Sequence, residues 1–484
     1  MVGPRTISLY NTLTRRVEPV VPLVQGELSL YTCGPTVYNY AHIGNLRTFL
    51  FQDLLKRTLR GAGFQVRHCM NITDVEDKII RDSQADLPAE ADNGARLRAM
   101  KALTDRYTAA FFQDLALVGI AADAFEFLPR ATEYVPHMIR LIQRLEGKGL
   151  AYAREGSVYY RIAGFRNYGC LAHLDRDGMQ AGTSVDSDEY ERDSVTDFVL
   201  WKATRPGEPW WDSPWGRGRP GWHIECSAMG MELLGDRVDL HSGGVDLIFP
   251  HHENEIAQSE GSLEHPWVNH WVHGEFLLVE GEKMSKSLGN FFTLRDLLEK
   301  GHEPLAFRYA IQSNHYRKLL NFSVDGLRAA KSSLERVRAF RRRMEGPGEP
   351  GGGPWREAFD PLPRIDTARE AFWAALADDL NTPEALAALY TLISDLNALD
   401  DHLALTREER DAALAFLEET QTIFLGWPRE DAAADAEVEA LIEARREAKA
   451  AKRWAEADRI RDQIKAMGIV LEDRKDGSSG WRRA

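Results

Sequence analysis

The segment Lys283-Met284-Ser285-Lys286-Ser287 gathers two ammonium groups and two hydroxyls on one short stretch, after Val279-Glu280-Gly281-Glu282 and before Leu288-Gly289-Asn290. Such a turn can bring positive charge to a polyphosphate that gains negative charge as it reacts. A charge cluster on a loop is also compatible with plain solvated surface. Far earlier in the chain, His42-Ile43-Gly44-Asn45 closes the run Pro35-Thr36-Val37-Tyr38-Asn39-Tyr40-Ala41. If a helix starts there, its first backbone N–H groups face an anion. His42 can add a hydrogen bond, and Gly44 lets ligand and backbone approach closely. A histidine that merely caps the helix would read the same way.

A third set carries soft ligands. Gly221-Trp222-His223-Ile224-Glu225-Cys226-Ser227-Ala228-Met229 is followed by His241-Ser242-Gly243-Gly244-Val245-Asp246 and by Phe249-Pro250-His251-His252-Glu253-Asn254-Glu255. On a helix, His251 and Glu255 share a face at i and i+4. With two thiolates they would make a tetrahedral zinc site. No close cysteine pair supplies them, so Cys33 and Cys226 would have to converge from distant segments. A helix N-terminus with polar caps remains the other reading of the His-His-Glu run.

These stretches need a scaffold. Leu28-Ser29-Leu30-Tyr31 alternates at period two and Cys33-Gly34-Pro35 breaks it. From Asn45, the residues Leu46, Phe49, Leu50 and Leu54 fall at helical spacing, ending near Gly61, and a second strand is expected over Phe64–Met70. Strand, helix, strand predicts a parallel sheet with helices on both faces, so His42 lies on a strand-to-helix turn where such sheets bind ligands. Residues 95–150 read mostly as helix, and 175–220 as a polar insertion or loop region. Trp201, Trp210, Trp211, Trp215 and Trp222 crowd its Gly/Pro-rich end, most of them to pin loops. Between Gly346 and Pro354 only Glu349 is neither Gly nor Pro, which reads as a linker. Beyond it, Ala375, Leu376 and Leu380, then Leu386, Leu389, Ile393 and Leu396 predict a helical bundle. A last helix rich in Ala, Arg and Lys begins near 437 and ends in a short Gly-Ser-containing tail.

Composition narrows the function. Sixty Lys and Arg against 74 Asp and Glu leave a net charge of -14, which excludes a chain coated in basic charge. Nucleic acid must then be met by a local basic surface. No apolar run approaches the ~18 residues of a membrane span. Arg5, Arg15 and Arg16 fall where a signal peptide would need an apolar run, so secretion is not expected. The four cysteines are too few for a disulfide framework and predict reduced thiols in a cytoplasmic protein, with Cys69 and Cys170 as buried structural thiols. There is neither a GxxxxGK[ST] loop nor a GxGxxG turn after a strand, so a nucleotide would be held in another way.

Together, the two signature stretches resemble those of class I aminoacyl-tRNA synthetases; Asn45 stands where that family often has His. The whole chain resembles the cysteinyl-tRNA synthetases. Asn71-Ile72-Thr73-Asp74, Phe198-Val199-Leu200-Trp201-Lys202, Asn381-Thr382-Pro383-Glu384-Ala385 and the final Trp481-Arg482-Arg483 also match that family. The resemblance implies a Rossmann-like α/β catalytic domain over 1–330, with an insertion at about 120–220 and a signature loop and tRNA stem-contact region at about 280–330. It implies an α-helical bundle over 331–430 and a small C-terminal anticodon-binding domain over 431–484.

For the site, the resemblance implies one Zn2+ held by Cys33, Cys226, His251 and Glu255, and a cysteine pocket walled by Gly34, Thr73, Trp222 and His241. ATP, with Mg2+, would meet His42, Gly44, Asn45, Lys283, Ser285, Lys286 and Ser287, and catalysis would rest on His42, Lys283 and Lys286. Residues 441–484 carry 12 Lys or Arg against 8 Asp or Glu, a local excess of basic charge. There Trp454, Asp458 and Arg461 fall on one helical face, a set able to stack and read an unpaired base; a salt-bridged amphipathic helix is the other reading. The resemblance implies tRNA contacts at Lys449, Trp454, Asp458 and Asp473. Arg336, Arg338, Arg341, Arg342 and Arg343 could meet an RNA backbone or solubilise a helix end.

The expected activity is a cysteine–tRNA ligase acting on L-cysteine, ATP and tRNA(Cys), as a cytoplasmic monomer. Zinc would distinguish the thiol of cysteine from the hydroxyl of serine, which an apolar pocket separates only about 10- to 200-fold. The alternatives are a ligase joining cysteine to an amino sugar in thiol biosynthesis and an inactive RNA-binding relative. A zinc hydrolase fits less well, because the chain has no HExxH and its glutamate is needed as a ligand.

Overall fold

Leu28 and Leu30 alternate along strand β1 (Glu27–Thr32), and its last three residues are all buried. Helix α1 (Ile43–Gly61) and strand β2 (Gln65–Met70) follow, with β2 parallel to β1 from the pair Glu27/Gln65 to the pair Thr32/Met70. Farther along, α2 (Trp222–Leu234), β3 (Val238–Gly244), α3 (Glu253–Leu263) and β4 (Val268–Gly274) complete a four-stranded parallel sheet of order β4-β3-β1-β2. This computed structural model describes residues 4–174, 197–284, 290–346, 360–403, 405–424, 432–451, 453–467, 469–473 and 479–483.

Every residue of β3 is buried, as a parallel strand covered on both faces requires. The chain leaves β1 toward β2 on one side, while β3 lies on the other. The carboxyl ends of β1 and β3 therefore border the crevice in which open α/β sheets take ligands. Helix α1 is enclosed all round: Leu46, Leu50 and Leu54 are buried, but so are Arg47, Gln52 and Asp53. The polar side chains are matched, as burial demands. Arg308, with no exposed surface, pairs with Asp53 at 2.5 Å and donates to the carbonyl of Val118 at 2.9 Å.

The stretch expected as an insertion is partly a sheet. Ala151–Arg154, Ser157–Tyr160, Phe198–Ala203 and Gly218–Pro220 pair antiparallel in that order. Residues 197–220 are thus not simply loop. Trp201 is fully buried in this sheet, and the terminal strand ends at Pro220, where the missing N–H costs no ladder bond. Residues 175–196 lie outside the described residues. Cys170 also departs from expectation: it is half-buried, with its sulfur 3.7 Å from Glu253.

By internal contacts the chain divides into two units, Met1–Leu327 with Glu370–Ala388, and Arg328–Arg369 with Leu389–Ala484. The helical periodicity expected through Leu380 is interrupted: helix Pro361–Ala377 ends, Asp379 and Leu380 take positive φ, and helix Thr382–Leu403 begins. Asp379 explains why residues 370–388 belong with the first unit. Its buried carboxylate accepts from the Tyr10 backbone N–H at 2.8 Å and pairs with Arg317.

In the second unit, Leu334, Phe340, Leu392, Leu396 and Phe416 are buried. Arginines expected to face solvent or RNA are tied to the bundle: Arg343 to Asp400 at 2.5 Å, Arg341 to Glu418, and Arg336 over the Tyr390 ring. Helices Ala432–Ala450 and Trp454–Ala466 and strand Ile469–Asp473 bury Val438, Ile460, Ile464 and Ile469 together. The expected tail is an antiparallel hairpin of Ile469–Asp473 with Ser479–Arg483. The linker residues 347–359 lie outside the described residues.

Candidate functional site

Cys33 follows the last residue of β1, and its backbone N–H donates to Ser242 of β3 at 3.2 Å, which holds it at the sheet's carboxyl edge. Cys226 stands on the second turn of α2, Glu255 on the first turn of α3, and His251 in the π-helical turn Ile248–His252 just before it. These elements converge. The two sulfurs are 4.0 Å apart; Cys226 Sγ is 3.4 Å from His251 Nε2, His251 Nε2 3.0 Å from Glu255 Oε1, and Cys33 Sγ 3.7 Å from that same oxygen. All four residues are buried, and their donor atoms lie within 4.8 Å of one another. Donors about 2.0–2.3 Å from a tetrahedral zinc would be separated by roughly 3.3–3.8 Å. The set fits a zinc ion in both chemistry and spacing.

The charges suit a cation. Burial pushes the Cys33 thiol up. Cys226, despite its burial, is held down to about 6 by the Cys33 thiol's hydrogen bond and by His251. Burial also opposes charge on Glu255 and His251. Even so, His241 and His251 hold the carboxyl at about 2, while Cys226 and Glu255 raise the His251 imidazole to about 10. The lowered Cys226 thiol and Glu255 carboxyl thus give these donors negative charge that the His251 imidazolium offsets only in part.

A shell of histidines surrounds these donors. His252 Nε2 lies 3.2 Å from Cys33 Sγ, and His252 Nδ1 lies 2.8 Å from His273 Nε2. His273 Nδ1 in turn lies 2.7 Å from the Thr12 hydroxyl. His241 Nε2 meets Glu255 Oε2 at 2.9 Å, and His223 Nδ1 meets His251 Nδ1 at 2.9 Å. Burial keeps His223 neutral, so the charged His251 donates to it. Cys33, His241, His252 and Glu255 form a second, overlapping donor set. The sequence shows the His-His pair and the histidine beside Trp222, but it does not show that five rings share one buried volume, because β3 and β4 bring His241 and His273 together only in the folded sheet.

Of the expected pocket walls, Trp222 stacks on His251 with ring centroids 4.2 Å apart. Gly34 donates its N–H to Asn71 Oδ1 at 2.9 Å, and Asn71 Nδ2 donates to Thr73 Oγ1 at 3.1 Å. Gly34 has no room for a side chain: a Cβ would run into the Asn71 carbonyl and approach Met70 Cγ at 3.0 Å.

His42 is the N-cap of α1. Its Nδ1 accepts from the Asn45 N–H at 3.1 Å, and Asn45 Oδ1 accepts from the His42 N–H at 3.2 Å. Both side chains are therefore engaged in a capping box, and burial lowers the His42 imidazole below its ordinary range. A neutral ring that accepts at Nδ1 carries its proton on Nε2, the nitrogen free to donate to a ligand.

The second signature stretch lies against this turn. A Cβ on Gly44 would stand 2.6 Å from Met284 Cε, and the Ile43 N–H donates to Phe292 at 2.9 Å. Lys283 ends the short strand Glu282–Lys283, paired to Leu278. The Lys283 side chain and residues Ser285, Lys286 and Ser287 lie outside the described residues. The expected last helix is two: half-buried Lys449 lies on Ala432–Ala450, while on Trp454–Ala466 Trp454 is 61% exposed and Asp458 pairs with Arg461 at 3.0 Å. Asp473 ends its strand, with a side chain outside the described residues.

Known proteins resemble this chain throughout. Residues 19–332 match the family described as tRNA synthetases class I (C) catalytic domain, 371–426 the DALR domain, and 431–482 the cysteinyl-tRNA ligase anticodon binding domain. A cysteine–tRNA ligase of Solibacter usitatus is 46% identical over 482 residues, spanning 99% of each chain. One of Leptospira interrogans is 44% identical over 481 residues, again 99% of each. Among solved structures, a Mycobacterium tuberculosis methionyl-tRNA synthetase bound by methionyl-adenylate shares the fold, with a TM-score of 0.57 at 13% identity over 82% of this chain and 92% of that one. The LeuRS of Agrobacterium radiobacter K84, in a ternary complex with tRNA, gives 0.55 at 12% identity over 84% and 85%. In the described residues no helix is long and apolar enough to cross a membrane. With matches that run from the first strand to the final hairpin, the chain belongs to the cysteine–tRNA ligase family of class I aminoacyl-tRNA synthetases.

Proposed function

We propose that the protein activates L-cysteine with Mg·ATP and transfers it to the 3′-terminal ribose of tRNA(Cys) in the cytoplasm. The observation that carries this reading is the convergence of Cys33, Cys226, His251 and Glu255 beside Gly34, Thr73 and Trp222 at the carboxyl edge of the sheet. These four residues would hold zinc, with His241 and His252 fixing Glu255 and Cys33 from behind. The first set offers two thiols to the metal where the overlapping set offers one, and soft ligands favour zinc. Bound there, zinc supplies a soft Lewis acid that accepts a substrate thiolate and discriminates against a hydroxyl.

The cysteine carboxylate attacks the α-phosphate of ATP, and pyrophosphate leaves. His42 donates from Nε2 to phosphate oxygen while the N-terminus of α1 faces the same charge. Lys283 and Lys286 neutralise the charge that develops on the leaving group. The terminal ribose hydroxyl of the tRNA then attacks the carbonyl of the adenylate, the acyl–phosphate bond breaks and AMP leaves, with Trp454 and Asp458 at the anticodon end of the tRNA.

Labelled cysteine is expected to charge total tRNA, whereas serine run in parallel does not. Cysteine-dependent ATP–pyrophosphate exchange without any charging would overturn the tRNA reading in favour of the amino-sugar ligase. Gly44→Ala is expected to lower kcat for exchange at least ~10-fold, because its methyl would push Met284 and the His42 ring away from the phosphates. Its melting temperature should remain within a few degrees of wild type, which a thermal scan beside the exchange assay checks.

A further inference from the structure

Arg295 joins three segments that lie far apart in the sequence. It stands on the first turn of the short helix Leu294–Glu299. Its Nε is 3.1 Å from Asp114 Oδ1, and its Nη2 donates to the Ala110 carbonyl at 3.3 Å and to Gln113 Oε1 at 3.2 Å. These three partners share the last turns of helix Asn93–Leu117. The guanidinium also lies over the Tyr40 ring, 4.8 Å from its centroid, and Tyr107 of the long helix meets that ring edge-on at 5.4 Å. A planar fork can hold carboxyl, carbonyl and ring at once, which a single ammonium cannot. Asp114 is fully buried, so withdrawing the fork would leave a buried carboxyl without its partner.

The backbone passes this grip to His42. Thr293 caps the short helix: its hydroxyl accepts the Asp296 N–H at 3.2 Å, and Asp296 Oδ2 accepts the Thr293 N–H at 2.7 Å. Thr293 in turn bridges His42, Phe292 accepts the Ile43 N–H at 2.9 Å, and the Phe291 ring meets the His42 ring edge-on at 5.3 Å. On the other side, Tyr40 lies under the same guanidinium, two residues before His42. The hydrogen bond at Nδ1 ties only one edge of the His42 ring; where its Nε2–H points depends on what packs against the rest. We propose that Arg295 is a positioning residue for His42: by locking Tyr40 and residues 291–293 to helix Asn93–Leu117, it fixes the direction in which the His42 Nε2–H meets phosphate. This inference rests on the synthetase reading. Arg295 touches Tyr40 and the long helix, not the reacting atoms.

Cysteine-dependent ATP–pyrophosphate exchange tests this. Arg295→Ala is expected to lower kcat at least ~10-fold, since a catalytic group misplaced by about 1 Å can cost ~100-fold. Cysteine KM should stay within about 3-fold and zinc content should not change. A merely structural loss would shrink the active fraction, and so act by the same factor in any background. Positioning of His42 predicts a different result: added to His42→Ala, Arg295→Ala should cost less than about 2-fold more. An unchanged kcat in Arg295→Ala, or an undiminished further loss in the His42→Ala background, would overturn the proposal. If Arg295→Ala does not fold, the double variant Arg295→Ala with Asp114→Asn, which leaves no unpartnered carboxyl, decides by the same two readings. Absence of cysteine-dependent exchange in the wild type is a different result, which sinks the synthetase reading itself.

Discussion

Cys226→Ser is expected to purify with little zinc, its metal affinity down at least ~100-fold, and with a cysteine KM raised on the same scale. The physical argument is the balance of charge in the buried site. Cys226 is the sulfur already held as a thiolate near neutral pH, by the Cys33 thiol's hydrogen bond and by His251, despite its burial. Serine cannot ionise there, so the substitution removes both the softest donor and the charge that raises the His251 imidazole. The variant should also lose its preference for cysteine over serine, since only the apolar fit, worth about 10- to 200-fold at best, would remain. Elemental analysis and paired exchange assays read both effects; full zinc with normal cysteine affinity would remove Cys226 from the ligand set.

The same balance has a pH consequence. In the metal-free site, burial pushes the Cys33 thiol up and the charges of Cys226 and Glu255 hold His251 protonated, so both carry a proton at neutral pH. A metal must displace both, so zinc uptake by the chelator-stripped protein should release about two protons per ion. Zinc affinity should accordingly rise as pH rises. Titration in weak buffer with a pH indicator counts the protons.

Lys286→Ala is expected to lower kcat for adenylate formation by about 100- to 1,000-fold, the scale seen when a preorganised transition-state donor is removed, while cysteine KM changes by less than about 3-fold. Lys286 lies outside the described residues, but both ends of its segment are placed. Met284 lies against Gly44, and Phe292 accepts the Ile43 N–H. Thr293 bridges His42 in an antiparallel contact. Met284, Phe292 and Thr293 thus lie at the N-terminus of α1, where the His42 Nε2–H is free to donate. An ammonium delivered there acts on the triphosphate, not on the thiol pocket around Cys33. That separation is why kcat should fall while KM holds. Pre-steady-state formation of the adenylate, measured beside cysteine affinity, tests it, and an unaltered kcat would refute the role.

How much of this was legible beforehand differs by level. The period-two alternation of Leu28 and Leu30 and the helical spacing from Leu46 onward placed β1, α1 and β2 to within a residue or two, because one buried face imposes a period on the sequence. The insertion sheet was hidden because its strands are short and separated by Gly and Pro, which signal turns but do not say what the turns connect. The bundle's arginines looked like a basic surface, but Arg341 and Arg343 pair with Glu418 and Asp400, many residues away. Charge in sequence does not reveal which charges are already matched.

The site divides in the same way. His251 and Glu255 are readable as one face of a helix, because four residues make about one turn. That Cys33 and Cys226 face them follows only from the parallel pairing of β1 with β3, which seats the end of one strand beside the helix that leads into the other. Glu225 is the sharper case. In the sequence it is one more acidic residue on an apolar helix. Its complete burial, 3.0 Å from the Thr73 hydroxyl, is assembled from segments more than a hundred residues apart and pushes its carboxyl well above the ordinary range. Local periodicity decided the elements; the long-range strand pairing decided which donors share a volume, because only burial in a common, water-poor space couples their charges.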